Sequence, residues 1–72
     1  MVDGVFVVTS DSNLGTTLYI QGRYVEAEGA YREFLRLAPE SAIAYHNLAS
    51  ALRQQGRLQE AEAAYREARR LS

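Results

Sequence analysis

The sequence predicts an all-α chain of antiparallel helix-turn-helix repeats with a short extended leader, and three observations point there. Residues 22–37 recur almost verbatim as residues 56–71, at an offset of 34 residues. A fixed period of this size marks one supersecondary unit stacked on copies of itself. Apolar residues inside each unit follow the 3.6-residue turn of a helix. Glycine and proline fall where such helices would have to end.

The chain opens on Val5, Phe6, Val7, Val8 and Thr9, a β-branched and aromatic run that suits an extended segment better than a helix. It is too short to span a membrane and lacks the basic flank and cleavage site of a secretory signal. Three readings of it stay open: an irregular cap over the first helices, an exposed edge formed by Val5, Phe6, Val7 and Val8 that pairs with a second copy, or a truncated beginning. Ser10 is placed to cap the first helix, with Asp11 favourable against its dipole.

Four helices are expected, near residues 11–21, 24–37, 42–55 and 58–71. In the third, Tyr45, Leu48, Ala49 and Leu52 fall at i, i+3, i+4 and i+7. Leu58, Ala61, Tyr65, Ala68 and Leu71 mark the apolar stripe of the fourth. Upstream, the offset also pairs Asn13 with Asn47, Leu14 with Leu48, Leu18 with Leu52 and Gln21 with Gln55, so the repeated unit is a pair of helices. Gly22 and Gly56 suit the left-handed turn after the first helix of each unit. Pro39 closes the second helix, and Ser41 is placed to cap the third. Loops this short force neighbouring helices to lie antiparallel.

The accumulated residues resemble the tetratricopeptide repeat family. The second unit shows Tyr45, Leu48, Ala49, Leu52, Gly56, Ala61, Tyr65 and Ala68 at the family's positions. The first shows Leu14, Gly15, Leu18, Gly22, Ala27, Tyr31 and Pro39, but has Asp11 in place of the large aromatic and Phe34 in place of a small alanine. The resemblance implies a right-handed α-solenoid, with a leader over residues 1–9 and a single domain over 10–72, its repeats spanning about 8–41 and 42–72. Independently of the family, Gly15 and Ala49 let the helices of a unit approach, while Tyr31 and Tyr65 fill the adjoining groove.

Two repeats are fewer than the roughly three that such stacks need for stability. No cysteine is present to form a disulfide, and a single histidine leaves no structural metal site to expect. Phe34, Leu35 and Ala38 of the first unit become Ala68, Arg69 and Ser72 in the second, a smaller and more polar outer face. That change suits the end of a stack, and equally a piece of a longer array. A second copy covering the open ends symmetrically, as a homodimer, is a further way to complete the core.

Composition narrows the partners. Eight basic residues, all arginine, against nine acidic ones leave a net charge of −1. Arg66, Arg69 and Arg70 lie among Glu60, Glu62 and Glu67 at helix-pair spacing, which reads as a solvated salt-bridged face and not a nucleic-acid or lipid patch. Neither a nucleic-acid partner nor a membrane is expected. The absence of a signal segment, an apolar span and cysteine gives a cytoplasmic expectation.

Catalysis lacks its usual parts: there is no cysteine nucleophile, no phosphate loop and no histidine pair, and His46 has no orienting partner in the sequence. No enzyme, cofactor or metal is expected. The family resemblance instead implies a concave surface lined by the first helices of the units, holding a peptide or partner protein. By matching positions, that surface presents Asn13, Thr16 and Tyr19 from the first unit and His46, Asn47, Ser50, Arg53 and Gln54 from the second. Asn13 and Asn47 each offer a donor and an acceptor to a peptide backbone, and Arg53 suits a carboxylate. Serine, histidine and threonine stand where relatives that grip chaperone C-termini have lysines, so that specificity is not expected. The competing functional reading is a structural piece of a larger repeat scaffold with no ligand of its own.

Overall fold

A computed structural model describes residues 12–72, with side chains from Leu14 onward. Four helices follow one another: α1 (Ser12–Ile20), α2 (Tyr24–Leu37), α3 (Ala42–Gln54) and α4 (Leu58–Leu71). They match the expected spans to within a residue, except that Gln21 and Gln55 belong to the turns. Ser10, Asp11 and the leader Val5–Val8 lie outside the described residues.

The turns recur as the sequence does. Gly22 and Gly56 both take φ of 81°, the left-handed region that only glycine enters without a Cβ clash. Each turn is closed by the same two backbone bonds. Gly22 N–H donates to Tyr19 O and Arg23 N–H to Leu18 O; Gly56 N–H donates to Arg53 O and Arg57 N–H to Leu52 O. Between the units, Pro39 pushes the preceding residue out of helical conformation and α2 stops. Ser41 then caps α3 by accepting a hydrogen bond from Ala44 N–H at 3.2 Å.

Each helix packs on the next, and α3 also touches α1. The core they enclose is small-residue rich: Ala27, Ala44, Ala49, Ala51, Ala61 and Ala64 surround Tyr31, Leu35, Leu48 and Leu52. At Gly15 an added Cβ would lie 2.4 Å from Tyr31 Cε1, so the absent side chain is what lets the tyrosine ring in. Tyr31 is 2% exposed as a result. The corresponding pair, Ala49 and Tyr65, leaves Tyr65 half-buried.

One part of the expected stripe differs. Leu58 lies at the surface, 62% exposed, because it is the first residue of α4 and projects from the turn. Ala64 is buried with Ala61 and Ala68 on the packed face. The expected charged face of α4 forms through Arg66–Glu62 at 3.7 Å and the contact of Arg70 with Glu67. Glu60 turns instead to Arg57 and Arg32.

Candidate functional site

Two surface features hold the residues singled out in the sequence. The first is a depression of about 130 Å³ where α1 meets α3, lined by Thr16, Tyr19, Tyr31, Asn47 and Ser50. Both repeats therefore contribute to one concavity. Gln54 reaches across it, its Nε2 donating to the Tyr19 hydroxyl at 3.4 Å. Tyr19 is held in turn by an edge-to-face contact with Tyr24, centroids 5.1 Å apart. Arg53, three residues after Ser50 on α3, is exposed, and its guanidinium forms no ion pair among the described residues. The side chain of Asn13 lies outside the described ones.

Two hydroxyl pairs repeat at the same offset as the sequence. Tyr31 OH donates to Thr16 Oγ1 at 3.4 Å, and Ser50 Oγ and Tyr65 OH lie 3.4 Å apart. Each pair ties the first helix of a unit to its second. Tyr31, assigned in the sequence only to packing, thus also presents its hydroxyl to the concave face.

His46 falls elsewhere. It is exposed and packs edge-to-face on Tyr65, centroids 5.4 Å apart. With Ala42, Ile43, Tyr65, Ala68 and Arg69 it lines a second, more apolar groove of about 440 Å³, between the start of α3 and the end of α4. Ile43 is 72% exposed there. Smaller and more polar side chains at Ala68, Arg69 and Ser72 therefore leave this face open.

A third feature had no place in the sequence-based expectations. Glu28, 8% exposed, accepts from Arg57 Nη1 at 2.7 Å, from Gln55 Nε2 at 2.9 Å and from Arg32 Nε at 3.0 Å. Burial pushes its carboxyl up, but the hydrogen bonds from Gln55 and Arg32 and the charges of Arg57 and Arg32 outweigh that, holding it below the usual carboxylate range. Gln55 also donates to Tyr24 O and Ala51 O, so this junction pins the turn of the second repeat onto the helix of the first. The signal for it was present: Gln21, Arg23, Glu62 and Arg66 repeat Gln55, Arg57, Glu28 and Arg32 at the offset of 34.

Among the described residues no group of three or more histidine, cysteine or acidic side chains gathers into a metal-binding cluster. No described helix is long and apolar enough to cross a membrane. The arrangement is that of a helical repeat protein whose successive first helices share a depression. Residues 12–72 match the family profile of the tetratricopeptide repeat, and the chain belongs to that family. Its members generally mediate protein–protein interaction and are typically non-catalytic. No curated protein and no solved structure matches the chain significantly.

Proposed function

We propose that this chain is a non-catalytic protein–protein interaction module that holds a peptide segment of a partner on the α1–α3 face. The observation that carries the reading is the depression shared by Thr16 and Tyr19 of one repeat and Asn47 and Ser50 of the other. A site made by two repeats reads an extended chain along its length. The Asn47 amide both donates and accepts, as a peptide backbone requires, and the exposed Arg53 guanidinium, without an ion pair among the described residues, suits a carboxylate. His46, packed on Tyr65 and away from this depression, takes no part in it.

The alternative, a scaffold piece with no ligand of its own, draws support from one observation. The Thr16 and Ser50 hydroxyls already meet Tyr31 and Tyr65, which is a structural use of both. A displayed library of random peptides, selected on the wild-type chain and re-measured on Asn47→Ala/Arg53→Ala, separates the two. Peptide binding on this face predicts that selected peptides lose about tenfold or more in affinity on the double variant, equivalent to about 1.4 kcal/mol. Peptides that bind both proteins equally, or a library that yields none, leave the scaffold reading.

A further inference from the structure

The junction at Glu28 shows what covers the outer face of a repeat, and among the described residues nothing covers the same face of the second repeat. Glu28 has an 11% exposed side chain because Gln55 and Arg57 close over it, and Arg32 beside it lies 3.9 Å from Glu60. The counterparts of Glu28 and Arg32 in the second repeat are Glu62 and Arg66. These two pair with each other at 3.7 Å, both 67% exposed. Nothing among the described residues plays toward them the part of Gln55, Arg57 and Glu60.

The chain nevertheless carries a second set of those three residues, at Gln21, Arg23 and Glu26. They are built in the same way. Arg57 Nε donates to Glu60 and its Nη1 to Gln55 Oε1; Arg23 Nε donates to Glu26 and its Nη1 to Gln21 Oε1. Arg57 also bonds the buried Glu28 of the preceding repeat, and among the described residues Arg23 has no counterpart to that bond. One end of the molecule thus presents Glu62 and Arg66, and the other presents Arg23 and Glu26, opposite in charge at each matching position.

The apolar surfaces correspond as well. Tyr31, Phe34 and Leu35 of α2 are packed in the core that α3 completes with Leu48 and Leu52. Their counterparts Tyr65, Ala68 and Arg69 line the open groove of about 440 Å³. The counterparts of Leu48 and Leu52 are Leu14 and Leu18 of α1, both only half-buried within their own molecule.

We propose that copies of this chain associate head to tail, with α1 and the Gln21–Arg23 turn of a second copy seated on the open α4 face of the first. Arg23 and Gln21 of the second copy meet Glu62 as Arg57 and Gln55 meet Glu28, and Glu26 of the second copy meets Arg66. The contact is heterologous, so it leaves both outer ends free and adds further copies in the same direction. Ala68 and Arg69 fill less of the groove than Phe34 and Leu35 do, which makes this contact weaker than the one inside the chain. It is independent of peptide binding on the α1–α3 face.

Sedimentation velocity from about 10 μM to about 1 mM, where small interfaces associate, tests it on the unaltered chain and on charge-reversed variants. The expected result is a mean mass that climbs past the dimer with concentration and falls with salt. Arg23→Glu and Glu62→Arg should each weaken association by about tenfold, and the two combined in one chain should restore it. Because Arg23 pairs with Glu26 at the start of α2, helicity and melting of each variant are measured alongside. Glu62, exposed and paired only with Arg66, serves as the variant that leaves the fold intact. A monomer across the whole range, a closed dimer that stops growing, or a double variant no better than the singles overturns the proposal.

Discussion

The two repeats share about half of their aligned residues and differ in what lies on top of them. Tyr31, Leu35 and Glu28 of the first are buried, while Tyr65, Arg69 and Glu62 of the second are half-buried or exposed. For Glu28 and Glu62 the residue is the same, so the difference comes from the neighbour: the second repeat lies over α2, and no described element lies over α4. A helix in this architecture is therefore completed by the unit that follows it as much as by its own partner.

The largest test of that contrast removes equivalent leucines. Leu52 is 1% exposed, and Leu52→Ala should cost about 2–5 kcal/mol by transfer and cavity terms together. Leu18→Ala, at the half-buried counterpart, should cost about half as much; urea melts of the two variants measure it. Equal losses would mean that the first repeat is as well enclosed as the second.

Next in size is the glycine at the α1–α2 contact. Gly15→Ala sets a methyl against the buried Tyr31 ring, which would have to shift, and should destabilise by about 1–3 kcal/mol. Thermal melting would register each kcal/mol as a drop of about 4–8 °C for a chain of this size. Ala49→Gly, at the counterpart, should cost only about 1 kcal/mol, mainly through helix propensity. If Gly15→Ala melts like the wild type, the tyrosine is less tightly held than its geometry states.

The smallest effect is electrostatic. Glu28→Gln leaves Arg57 and Arg32 without their shared carboxylate and should cost about 1–2 kcal/mol, given that both arginines are partly solvated. Glu62→Gln should stay within about 0.5 kcal/mol of wild type. The folded pKa of Glu28 is depressed, so its contribution is full above its unfolded value of about 4.3 and is lost as pH falls through the folded value. Wild type should therefore lose more stability than Glu28→Gln between about pH 5 and pH 3.

Much of this arrangement was legible in the sequence because it repeats local signals. Gly22, Gly56, Pro39 and Ser41 act on their immediate neighbours, and each does what its type and position predict. Thr16, Tyr19, Asn47 and Ser50 line one depression, and Gln54 bonds Tyr19 across it. His46 did not follow, since one helical turn from Ser50 is enough to place it against Tyr65 at the other groove. The Glu28 junction escaped because Gln55 and Arg57, which bury it, lie 27 and 29 residues away, and only Arg32 stands at helix-pair spacing.

The alanines that dominate the core have a thermal consequence. An alanine has no rotamer to lose on folding, so a core of this kind orders its side chains at almost no entropic cost. The same methyl groups remove little apolar surface from water, which keeps the heat-capacity change of unfolding small. A smaller heat-capacity change flattens the stability curve, so such a chain should melt more broadly than one of equal length with a leucine-filled core.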